Sequence, residues 1–191
     1  MAELGFYIDS TKCTGCRACQ VACKDKNDLP VGTFFRMARS YEVGEFPEVK
    51  GYNISLSCNH CENPACVAAC PTGAMYKTEE GPVLHDDDMC IGCQACVAAC
   101  PYGQPHLIAE LGIVKKCDSC IAIRQAGGNP VCVDACQIRA LDFGDIDELK
   151  AKYGLEESGA AAILPASITG PNLLIRAKEC MAEDGAVEVV F

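Results

Sequence analysis

Apolar residues along this chain come in short clusters bounded by turn residues, not in long periodic runs, and this predicts many brief elements. Phe6–Asp9, Ile54–Ser57, Pro82–His85 and Gly112–Val114 each read as a short strand leading towards a cysteine-rich loop. The helix signals are equally brief: Asn63-Pro64 and Asn129-Pro130 each set proline near a first turn. One amphipathic helix is predicted over Asp145–Tyr153, with Asp145 as its cap and Gly154 as its stop. Residues 24–57 form the longest spacer, with Gly32, Gly44, Pro47 and Gly51 as turn marks. From Leu155 onward the tail is rich in Gly, Ala, Ser and Pro and lacks a periodicity long enough for a domain; it is expected to wrap the core or a partner. The pattern is that of an α+β chain built of small pieces.

The pieces are organised by a repeat. Cys13, Cys16, Cys19 and Cys23 form the first copy, Cys58, Cys61, Cys66 and Cys70 the second, Cys90, Cys93, Cys96 and Cys100 the third, and Cys117, Cys120, Cys132 and Cys136 the fourth. All but Cys180 of the 17 cysteines are used. The third copy is spaced by two, two and three residues and closed by Pro101, the run that holds cubane iron–sulfur clusters in bacterial-type ferredoxins. In such motifs three thiolates converge on one cluster and the fourth ligates its neighbour, so copies work in pairs. Gly15 and Gly92 suit the C-x-G-C loops because a residue without Cβ reaches left-handed angles. The second and fourth copies carry insertions, and pairing a compact copy with an inserted one leaves two arrangements. Pro71 and Pro101 follow the fourth cysteine only in copies two and three, which favours pairing those and leaving one with four. A zinc knuckle would stop at four ligands drawn from two C-x2-C pairs, whereas here each pair continues at ferredoxin spacing. His60 is expected to be a loop residue, and His85 and His106 to be structural.

Composition narrows the chemistry. The formal charge of −10 excludes a nucleic-acid footprint, and sixteen thiolates around four cores would take the loaded protein to about −18. Lys24, Lys26, Lys115 and Lys116 lie beside cysteine motifs, where positive charge would stabilise reduced clusters. A disulfide scaffold is disfavoured by the odd cysteine count and the spacings, and no secretory leader is expected before Cys13. The apolar runs are shorter than a bilayer span. No nucleophile triad or phosphate loop accompanies the cysteines. With every iron fully ligated, one-electron transfer is the chemistry that remains, between clusters roughly 10–13 Å apart in a body of this size. The aromatic residues Phe34, Phe35, Tyr41, Phe46 and Tyr52 of the long spacer are expected to cover a cluster or meet a partner, with core packing as the alternative.

Cys13-Thr14-Gly15-Cys16, Ser57 to Glu62, Cys90 to Cys93, Ala99 to Gly103, Lys116-Cys117-Asp118 and Arg139 to Gly144 resemble the four-cubane electron-transfer subunits of molybdopterin oxidoreductases, the dimethyl sulfoxide reductase family in particular, over about residues 5 to 175. The resemblance implies two ferredoxin-like modules, one from residues 1–23 and 112–144, the other from 58–111, with 24–57 inserted and 145–191 as helix and tail. It implies four [4Fe-4S] clusters, held by Cys13, Cys16, Cys19 and Cys136; by Cys117, Cys120, Cys132 and Cys23; by Cys58, Cys61, Cys66 and Cys100; and by Cys90, Cys93, Cys96 and Cys70. It further implies a large catalytic subunit with a molybdenum or tungsten bis-pterin cofactor and, as often in the family, a membrane anchor exchanging electrons with quinone, or else another donor. The chain itself would then be non-catalytic, either peripheral to a membrane through its partner or cytoplasmic. The tail after Asn172 departs from the family pattern, which keeps open a soluble dehydroxylase or transhydroxylase. A freestanding polyferredoxin is the remaining alternative.

Overall fold

The computed structural model describes residues 3–155 and 168–190. In chain order its elements are β1 (Leu4–Asp9), α1 (Ala18–Lys26), β2 (Arg36–Val43), β3 (Lys50–Ser57), α2 (Ala65–Ala68), β4 (Met75–Lys77), β5 (Val83–His85), α3 (Ala95–Ala99), β6 (His106–Ile108) and β7 (Ile113–Lys115). Then follow α4 (Ile121–Gln125), α5 (Val131–Asp134), β8 (Leu141–Asp145), α6 (Ile146–Tyr153), β9 (Leu173–Arg176), a single-turn 3-10 helix and β10 (Val187–Val189). Among the described residues no helix is long and apolar enough to cross a membrane.

Strand β1 sits between β8, antiparallel, and β9, parallel. Both of its faces are covered. Phe6 and Ile8 enter the larger core, which holds cysteines of all but the third copy, while Tyr7 stacks on Tyr153 of α6 with ring centroids 3.7 Å apart. A strand buried on both sides reads as a continuous apolar run, which is how Phe6–Asp9 stands in the sequence. The long spacer, expected to be strand only at Ile54–Ser57, contains the hairpin β2–β3, and β10 from the tail adds to its other edge. Its aromatics divide: Phe35 and Tyr52 are buried, Tyr41 stacks on Tyr52, and Phe46 stands exposed.

The short helices begin where the cysteine loops end. Arg17, Gln94 and Cys120 cap α1, α3 and α4 in left-handed conformation, at φ 62, 61 and 52, whereas α2 and α5 start from extended Pro64 and Pro130. Cys100 is extended, as a residue before proline must be, and α3 ends there; α1, with Lys24 in place of proline, runs on to Lys26. Gly92 takes φ 67, and a Cβ there would collide with the Gly112 carbonyl oxygen.

The tail is more ordered than its composition predicts. Residues 169–172 lie along the second cysteine loop, with Glu62 N–H donating to the Gly170 carbonyl, Asn63 N–H to that of Thr169 and Asn172 N–H to that of Asn59. The wrapping expected of residues 156–167 and 191 lies outside the described residues. Helix α6 is capped as predicted: the Asp145 carboxylate accepts from the N–H groups of Asp147 (2.9 Å) and Glu148 (3.2 Å), and Gly154 closes it at φ 61. Replacing Asp145 with alanine removes that cap and should cost about 1 kcal/mol of stability, read as a lower urea midpoint with unchanged slope.

Candidate metal centres

The fold gathers thiols from distant segments into sets. Cys13, Cys16 and Cys19, from the first loop and α1, line one cavity together with Cys136, which follows α5. Cys58, Cys61 and Cys66 line a second with Cys100, and Thr169 and Lys116 complete its wall. Cys23 lies among Cys132, Cys120 and Cys117: burial first, then the neighbouring thiolates of Cys132 and Cys120, push its thiol up to about 12. Burial and the nearness of Cys23 hold the Cys117 thiol well above its usual range. Cys96 is raised by burial, with Cys70 and Cys90 adding, and these three share the smaller core with Met75, Val83 and Val114. Cys93 is exposed ahead of α3.

The sets also adjoin in an order. Cys19 feels Cys132, Cys117 feels Cys58, and Cys66 and Cys96 meet in one apolar cluster. Cys16, which lines the first cavity, and Cys93, three residues before Cys96, are the exposed cysteines. Cys180 is buried in the larger core but lines neither cysteine cavity, its thiol 3.9 Å from the Gly51 carbonyl oxygen.

This donor set fits iron–sulfur clusters. Among the described residues no three His, Cys, Asp or Glu side chains converge on a point that would hold a single ion, whereas zinc would draw its sulfurs to about 2.3 Å of one centre. The thiols ring cavities instead. Burial pushes Cys61 up to about 11 and Cys66 up to about 12, so metal must displace protons from these sulfurs when it binds. Donors already point at sulfur: the Thr169 hydroxyl reaches Cys61 (3.1 Å), Ala140 N–H reaches Cys136 (3.2 Å), Ser119 N–H reaches Cys117 (3.4 Å), and Ser55 Oγ lies 3.2 Å from Cys19. Such bonds stabilise charge on a cluster's sulfurs and set its potential.

Ser55 and Thr169 carry no signal in the sequence, because each meets its cysteine only through tertiary pairing. The lysines beside the motifs separate into distinct roles. Lys24 clamps its own loop through the Leu29, Pro30 and Thr33 carbonyls, Lys26 pairs with Asp118 at 3.0 Å, and Lys115 pairs with Asp87 at 2.7 Å. Lys116 is buried, bonded to the carbonyls of Val83 and Cys117. His60 is buried too, and its Nδ1 accepts from Val83 N–H at 3.1 Å. Desolvation holds its ring well below the ordinary histidine range, so it is neutral and serves the loop. His85 pairs with Asp87 and His106 lies against Phe35.

The family model described as a 4Fe-4S dicluster domain matches residues 49–146, and one described as a 4Fe-4S binding domain matches residues 4–25. The chain is 45% identical to the B component of the anaerobic dimethyl sulfoxide reductase of Haemophilus influenzae, over 92% of this chain and 90% of that protein. It is 47% identical to the B component of the Escherichia coli K12 anaerobic dimethyl sulfoxide reductase, over 91% and 88%. It is 37% identical to the B component of the sulfite dehydrogenase of Allochromatium vinosum, over 90% and 81%. With thiols gathered around cavities and likeness running nearly end to end, the chain belongs to the 4Fe-4S iron–sulfur subunits of the dimethyl sulfoxide reductase family.

Proposed function

We propose that this chain relays single electrons through four [4Fe-4S] clusters to or from a catalytic subunit bearing a molybdenum or tungsten bis-pterin cofactor. The proposed ligands are Cys13, Cys16, Cys19 and Cys136; Cys117, Cys120, Cys132 and Cys23; Cys58, Cys61, Cys66 and Cys100; and Cys90, Cys93, Cys96 and Cys70. Bound there, the clusters supply one-electron chemistry with all irons ligated, so the chain transfers electrons without transforming a substrate. The observation that carries this reading is the serial order in which the thiols adjoin, with the exposed Cys16 lining the first cavity and the exposed Cys93 just ahead of Cys96 at the other end. A conductor needs two accessible ends and an insulated middle.

Exposed apolar side chains near both ends support a chain that works covered by partners. Val21 and Ile138 lie near the first set, and Met89 and Ile91 flank Cys90. Such residues beside both terminals suit a subunit that buries them against partners. By this reading the first set faces the catalytic subunit. The last faces an electron donor, a membrane anchor exchanging electrons with quinone, which would make the chain peripheral to a membrane. The relatives are named for both a sulfoxide reductase and a sulfite dehydrogenase, so the substrate resides in the catalytic partner.

Two substitution experiments test this assignment. Cys61→Ala should lower the iron content of the anaerobically isolated complex by about four per chain, while Cys180→Ala should leave it unchanged; equal effects would contradict the ligand sets. Cys93→Ser should abolish quinol-driven turnover and spare turnover with an artificial donor that reduces the catalytic subunit directly, and equal loss of both would contradict the orientation.

A further inference from the structure

Two buried cations lie where the thiol sets adjoin, and neither is a ligand. Arg36, the first residue of β2, is 1% exposed. Its guanidinium donates to the Ser55 carbonyl (2.9 Å) and the Ser57 hydroxyl (2.8 Å) and lies 4.5 Å from the centre of the Phe6 ring. Ser55 touches Cys19 of the first set, and Ser57 immediately precedes Cys58 of the third. Among the described residues no carboxylate pairs with Arg36, and its Nε has no hydrogen-bond partner. The thiols of Cys132, Cys19, Cys117 and Cys23 lie near enough to act on its charge. Lys116 is the counterpart at the next junction. It is 5% exposed, lines the cavity of Cys58, Cys61, Cys66 and Cys100, and precedes Cys117 of the second set. Its ammonium bonds neutral carbonyls, those of Val83 and Cys117.

An unpaired buried cation is costly unless a negative charge nearby compensates it. The thiols of the first two sets act on Arg36, and Lys116 lines the cavity of the third while bonding the carbonyl of Cys117 in the second. We infer that Arg36 and Lys116 are charge-tuning residues of the relay, Arg36 serving the first and second sets and Lys116 the second and third, each stabilising an added electron on either neighbour. Net charge and burial are among the determinants of a cluster's potential, and a fixed cation between two clusters raises both. No cation figures among the charges acting on Cys70 or Cys96 of the fourth set, and Lys77, the closest lysine in sequence, is engaged by Glu3. The interior of the relay is thereby made easier to reduce than its charge alone would allow.

The tuning role rests on the four-set reading, whose own failure would show first as missing iron in the unsubstituted complex. The test is a redox titration of the intact complex, followed by electron paramagnetic resonance, with Arg36→Gln, Arg36→Lys, Lys116→Gln and Lys116→Arg. Arg36→Gln retains hydrogen-bonding capacity for the two serines and removes the charge. It should move the potentials of the first two clusters negative by at least tenfold in the one-electron equilibrium, about 59 mV, and leave that of the fourth unmoved. Lys116→Gln should do the same to the second and third, and the charge-retaining variants should restore native potentials. Unchanged potentials in the glutamine variants overturn the proposal, as do equal shifts in the lysine or arginine variants. Loss of iron from both the neutral and the charge-retaining variant at one position gives that residue a purely structural role and overturns the proposal there.

Discussion

Sixteen thiols brought into a body of 191 residues that already carries a formal charge of −10 create the constraint on which the structure depends. Any that binds iron must be deprotonated, and most are buried, where a charge is disfavoured by desolvation and by its neighbours. At an effective dielectric near 20, two unit charges ~7 Å apart still interact by about 2 kcal/mol. The fold answers in three ways. It aims N–H and O–H groups at individual sulfurs, as at Cys19, Cys61, Cys117 and Cys136. It sets Arg36 and Lys116 between sets. And it leaves the sulfurs ringing cavities that a positively charged iron core would fill, so that metal binding and the final ordering of the loops are coupled.

The same constraint accounts for the architecture. Short helices and two- or three-stranded sheets bury little apolar area on their own, and much of the larger core consists of cysteines. The elements exist to deliver loops. Strand β1 leads to the first loop, β3 to the second and β7 to the fourth, and the helices start at or just after the second cysteine or at the proline of an insertion. Connectivity then supplies order: thiols distant in sequence share a cavity, and neighbouring sets share residues of their walls and cores. A relay with exposed ends is the functional consequence.

Local chemistry made part of this legible in the sequence. Asp145 and Gly154 bound a helix whose cap and stop are visible as residue types, and Pro64 and Pro130 start helices for the same reason. The cysteine spacing exposed the repeat and the α+β character of the chain. What stayed hidden depends on long-range pairing. The β2 segment Arg36–Val43 is strand because β3 and β10 flank it, although its polar Arg, Ser and Glu and the surrounding glycines read as a turn-rich spacer. The tail strand Leu173–Arg176 is strand because β1 offers an open edge, and Thr169 reaches Cys61 only once that pairing is made. Arg36 follows two phenylalanines in a polar stretch, and nothing beside it in the chain marks it as buried; its partners lie on β3 and in three separate cysteine segments.

Whether these thiols form closed iron–sulfur sets dense enough to pass electrons in series is tested most directly by counting iron and acid-labile sulfide on the anaerobically isolated complex. Four cubane clusters predict about sixteen of each in this chain. A count of about four of each, or cysteines recovered as disulfides, would contradict them.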